Sequence, residues 1–94
     1  MNATIKLEYP IEFQGQKITT LTMRRPKVID RITSDKTEGS ELEQEIVLFS
    51  NLCGVDLKLI YEIDQLDYRK LGEAFSGFFP KPQAEASSTP VQKS

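Results

Sequence analysis

The stretch Leu21-Thr22-Met23-Arg24-Arg25-Pro26-Lys27-Val28 constrains this chain most. A β-prone run rich in threonine and branched residues ends here, and a proline follows. Proline fixes φ and lacks an N–H, which suits the first position of a helix and the interior of no strand. The chain is therefore expected to be extended before this point and helical after it.

Upstream, Ile5, Leu7 and Tyr9 alternate with Lys6 and Glu8, the period of a half-buried strand. Pro10 removes a ladder donor and marks an edge or bend. Ile11 and Phe13 keep the parity of Ile5. Gln14-Gly15-Gln16 reads as a turn, and Lys17 to Met23 as the returning strand. Apolar parity changes between Ile18 and Leu21, which predicts a bulge or twist there. A lone hairpin is marginal in water, so this one has to pack on the helices downstream.

Beyond the proline, a first helix is expected from Lys27 to Lys36 with Val28, Ile29 and Ile32 as its apolar stripe. Ser40 followed by Glu43 has the form of a capping box. It opens a second helix over 41–53, whose stripe is Leu42, Ile46, Phe49 and Cys53, widened by Leu52. Gly54 supplies the left-handed stop. Asp56 caps a short third helix carrying Leu57, Leu59, Ile60 and Ile63. Asp64 or Asp67 caps a last one carrying Tyr68, Leu71, Phe75 and Phe78. From Pro80 the chain turns to Pro, Ser, Ala and Gln with Val91 as its one large apolar residue, a composition that predicts disorder. The expected fold is α+β: an N-terminal β-hairpin, then three to four short helices, as one domain over 1–79 with a disordered tail over 80–94.

Composition excludes much. The 94 residues contain no histidine and one cysteine, Cys53. That removes the commonest general base and metal ligand and any disulfide within the chain. No catalytic set, cofactor or metal is expected. No signal peptide is read at Met1 to Lys6, and no apolar run spans a membrane. The net charge of −2 gives no general affinity for nucleic acid or anionic membrane. Arg24, Arg25, Lys27, Arg31 and Lys36 nevertheless place five of twelve cations in thirteen positions. The plain reading is a solvated surface paired with Glu38, Glu41, Glu43 and Glu45. The alternatives are a contact for an acidic protein partner, or a small DNA-binding regulator using the basic run 24–36. A helix-turn-helix about Gly54 is disfavoured by Asp56, Glu62 and Asp64, which repel phosphate. Cys53 on an apolar stripe reads as a small buried hydrophobe.

Three segments in order carry a resemblance: Ile18 to Val28 with its Leu-Thr-Met-Arg-Arg-Pro; Glu43-Gln44-Glu45-Ile46 with Asn51-Leu52-Cys53-Gly54-Val55; and Leu66-Asp67-Tyr68-Arg69-Lys70-Leu71. Over residues 4–79 the chain resembles the tail assembly chaperones of Mu-like and P2-like contractile-tailed phages and prophages. Where that family usually opens its third helix with Pro-Glu, this chain has Val55-Asp56. The resemblance implies a non-enzymatic assembly factor of the host bacterial cytoplasm, absent from the mature virion. Its implied partners are the tape measure protein, which it keeps soluble, and the tail tube protein, reached through a frameshifted extension. A homo-oligomer is a further expectation, and a structural tail component retained in the virion is the alternative. Leu48, Phe49, Leu52, Phe75, Phe78 and Phe79 are the expected apolar contacts, and Arg24 and Arg25 the expected orienting ones.

Overall fold

Strand β1 (Asn2–Phe13) runs antiparallel to β2 (Gln16–Arg24), joined by Gln14 and Gly15 at φ 52° and 80°. Two successive positive φ values are the mark of a type I′ turn, whose twist matches that of the strands it joins. The computed structural model describes residues 2–79. The disorder expected over 80–94 lies outside the described residues.

Pairing runs from Asn2↔Arg24 to Lys6↔Thr20, breaks, and resumes from Ile11↔Ile18 to Phe13↔Gln16. The bulge expected on the returning strand is therefore on β1: Leu7, Glu8, Tyr9 and Pro10 stand opposite Thr19 alone. Two causes act together. Pro10 has no N–H to give the ladder. The N–H groups of Glu8 and Tyr9 donate instead to the carboxylate of Asp67, at 2.8 and 3.1 Å. The bulge also turns Tyr9 outward, so it leaves the stripe begun by Ile5 and Leu7.

Four helices complete the domain: α1 (Val28–Lys36), α2 (Glu41–Cys53), α3 (Leu57–Glu62) and α4 (Gln65–Gly77). The α2 capping box forms, with Glu43 N–H donating to Ser40 Oγ and Ser40 N–H to Glu43 Oε1. Gly54, at φ 65°, ends the helix. Asp56 and Asp64 accept from Lys58 and Leu66 N–H as the N-caps of α3 and α4. Asp67, read as an alternative cap, is not one. It is 0 % exposed and clamps the β1 bulge to α4. Pro26 sits one position before the N-cap Lys27, so α1 starts at Val28.

The helices cover one face of the hairpin, with α2 and α4 against the strands, and α1 and α3 against α2. Ile5, Leu7, Leu21 and Met23 from the sheet meet Phe49, Leu52, Leu59, Ile60, Ile63, Leu71 and Phe78 in one core. Each such side chain contributes about 1.5–3 kcal/mol on burial.

Candidate functional site

The first helix is turned the other way from its expected orientation. Val28, Ile29 and Ile32 are 78, 59 and 44 % exposed, while Asp30 is buried. At 100° per residue the centre of the apolar trio lies about 170° from that of Asp30 and Ser34. The polar side makes the contacts inside the molecule. Ser34 Oγ donates to the carbonyl of Gln44, and Gln44 Nε2 donates to the carbonyl of Thr37.

Arg24 determines this orientation. Its Nη1 and Nη2 donate to Asp30 Oδ2 and Oδ1 at 2.9 and 2.8 Å, a two-pronged pair across the strand-to-helix corner. Lys27 N–H donates to the same carboxylate at 2.7 Å. A carboxylate with three donors in place cannot turn to solvent, so Val28 and Ile32 must. The guanidinium holds the Asp30 carboxyl below its usual range against the opposing cost of burial, and the Lys27 N–H adds to the effect. The glutamates expected to pair with the basic run leave Arg24 to Asp30. A depressed folded pKa contributes stability that is present above the unfolded value of roughly 3.9 and lost as pH falls through the lower folded value. Urea midpoints measured from pH 7 downward should therefore show Asp30→Asn weaker than wild type at neutrality. The two curves should converge in acid.

Arg25 is also engaged within the molecule. Its Nη1 donates to the carbonyl of Phe78 at 2.9 Å, and its guanidinium carbon lies 6.0 Å from the Phe78 ring centroid. The two arginines thus tie the end of β2 to the start of α1 and to the end of α4.

Of the expected contact residues, Phe49, Leu52 and Phe78 are core, at 1, 2 and 4 % exposure. They hold the site from beneath. Leu48 and Phe75 are half-buried and Phe79 is exposed. These three meet in an apolar groove of about 260 Å³ between α1, α2 and the end of α4. Pro26, Val28 and the stems of Lys27 and Arg31 complete its wall, with Asp30 at its base. Phe75 links groove and core, its ring 5.3 Å from Phe79 and 5.6 Å from Phe49. A more open hollow of about 710 Å³ lies between α2 and α4 over Phe49, Tyr68 and Phe75. There Tyr68 OH donates to Glu45 Oε1 at 2.6 Å, and burial with this carboxylate pushes the phenol well above its usual range. Burial likewise pushes the half-buried Cys53 thiol up to about 11. A thiol held in its protonated form is a poor nucleophile.

Sequence reasoning missed Pro26, Val28, Lys27 and Arg31 as walls of a groove. The signal was present in Asp30, an acid three residues past a helix N-cap and within reach of an arginine on the preceding strand. Among the described residues no helix is long and apolar enough to cross a membrane.

A family profile described as "Phage tail assembly chaperone proteins, E, or 41 or 14" matches residues 4–80. The chain belongs to this family of phage tail assembly chaperones. Comparison with curated proteins and with solved structures gives no match. The stretch matched in the chaperone contains the hairpin from Thr4 onward, all four helices and every wall of the groove.

Proposed function

We propose that this chaperone binds the tape measure protein and keeps it soluble in the host bacterial cytoplasm while the tail tube forms, as the Mu-like and P2-like resemblance implies. One observation carries the proposal: the Val28–Leu48–Phe75–Phe79 groove is apolar, open, and flanked by the cations Lys27 and Arg31. An amphipathic helix laid in such a groove buries an apolar stripe, and acidic flanks on it would meet the two cations. The contact area is small, which suits a partner that must be released when tube protein polymerises. Tube protein would be recruited by a longer, frameshifted product sharing these residues, and the chaperone itself would be absent from the finished virion.

The test is co-expression with the tape measure protein. Val28→Asp and Phe79→Asp, at exposed groove walls, should keep the circular dichroism and melting temperature of the wild type, yet send the client from the supernatant to the pellet. Both variants holding the client in solution as wild type does would sink the proposal. The reading as a DNA-binding regulator loses Arg24 and Arg25, which are spent on Asp30 and Phe78. Mass spectrometry of purified particles separates a chaperone, absent from them, from a retained tail component.

A further inference from the structure

We propose that the open hollow between α2 and α4 is a second docking surface, and that it takes a basic amphipathic helix of a protein partner. The inference does not depend on tape measure binding. The hollow and the α1 groove lie on either side of Phe75 and differ in charge.

The floor is aromatic. Phe49, Tyr68 and Phe75 line about 710 Å³, with the Phe49 ring 5.6 Å from each of the other two at tilts of 45° and 49°. The faces of such rings carry negative charge density and attract a cation. The walls are acidic. Glu45 on α2 and Glu73 on α4 are both exposed, one on each side of the hollow. Glu41 stands one turn before Glu45 on the same side of α2. The 13 residues of α2 include three glutamates and no cation. Of the two cations of α4, Lys70 turns away to the Lys6 carbonyl and Glu8, which leaves Arg69 alone in the lining. The Tyr68 hydroxyl fixes Glu45 in place and uses one of about four acceptor positions on its carboxylate.

Gly72 sets how close the partner comes. It lies in the middle of α4, where glycine weakens a helix relative to alanine. A Cβ there would meet nothing within 4 Å among the described residues, so packing inside the molecule does not require the glycine. Its bare backbone opens into the hollow instead. A missing side chain at the crossing point lets a second helix pack toward the near end of the usual axis separation of about 8–10 Å. A helix laid there rests apolar residues on Phe75 and Tyr68, and arginines one turn apart reach Glu45 and Glu73. Arginine suits both surfaces, because its planar guanidinium stacks on rings and grips a carboxylate with two N–H groups. An acidic helix is repelled by the same glutamates and fits the Lys27–Arg31 groove instead. One copy can therefore hold two segments of opposite charge.

Fluorescence anisotropy with the full 94-residue chain tests this. The probe is a labelled helical peptide of about 16 residues, with a leucine stripe flanked by arginines one turn apart. Wild type should bind it with a Kd of about 10–100 µM. Glu73→Lys reverses one wall, and Gly72→Leu fills the space above the bare backbone. Each should weaken binding at least about tenfold while circular dichroism stays that of wild type. Gly72→Ala should melt higher than wild type yet bind the probe more weakly, a combination that a glycine kept for internal packing does not give. Val28→Asp in the client groove should bind the probe as wild type does. A probe that wild type does not bind overturns the inference. So does binding that survives both Glu73→Lys and Gly72→Leu, and so does binding lost with Val28→Asp, which would place the peptide in the groove.

Discussion

Replacing Asp67 with alanine should lower the melting temperature by about 12–24 °C. The carboxylate is fully buried at the third position of α4 and accepts from Glu8 and Tyr9 N–H. Hydrogen bonds to a charged acceptor contribute about 1.5–3 kcal/mol each, so losing two costs about 3 kcal/mol or more. In a domain of this size each kcal/mol moves the midpoint by about 4–8 °C. The α4 N-terminus also loses a favourably placed negative charge. Lys70, whose Nζ lies 3.9 Å from Asp67 Oδ1, keeps the Lys6 carbonyl and Glu8. Asp67→Asn sharpens the test. It keeps the volume, but its amide offers one acceptor and turns an NH₂ toward the second backbone donor. It should recover no more than about half of the alanine loss. A thermal melt of Asp67→Ala within about 5 °C of wild type would show that the bulge does not depend on this clamp.

Phe49→Ala is the other large change. The ring is 1 % exposed and lies 5.6 Å, centroid to centroid, from both Tyr68 and Phe75. Truncations of this kind cost about 3–5 kcal/mol. A domain this small has only about 4–12 kcal/mol of stability in total. Between about a quarter and all of the fold's margin should therefore disappear, visible as a strongly lowered urea midpoint or an unfolded spectrum. Phe49→Leu should retain most of it. The consequence for client assays is direct. Loss of tape measure protein from solution with Phe49→Ala would report unfolding, whereas the same loss with Phe79→Asp would report the groove.

Features set by near neighbours were legible in the sequence. Ser40 with Glu43, Gly54, Asp56 and Asp64 mark helix ends through contacts two to four residues away, and the structure places each at its expected end. The period of two over Ile5 and Leu7 marked the buried face of the hairpin in the same way. Features that depend on distant partners were not legible. Asp67 looks like any first-turn acid until the amides it accepts from, 59 and 58 positions earlier, are beside it. Arg25 looks like surface charge until the carbonyl of Phe78 is beside it. The orientation of α1 was misread for a different reason. Its apolar spacing is a true amphipathic signal, but a buried Asp30 with three donors outweighs the gain from covering Val28, Ile29 and Ile32. Of the candidate site, the sequence marked Leu48, Phe75 and Phe79. It could not separate them from Phe49, Leu52 and Phe78, which share their chemistry and differ only in depth.

The closure of β1 by α4 also has a consequence for how the protein is made. The hairpin leaves the ribosome first and forms within microseconds. The helix that satisfies its bulge emerges roughly 40–50 residues after the hairpin is complete, about 2–10 s at ordinary elongation speeds. Until α2 follows, Ile5, Leu7, Leu21 and Met23 face water on a bare two-stranded ribbon, and until α4 follows the Glu8 and Tyr9 N–H groups lack their acceptor in Asp67. A nascent chain stalled before α2 is thus an aggregation-prone ribbon. This member of the tail assembly chaperone family passes through seconds of its own synthesis with its apolar surface uncovered.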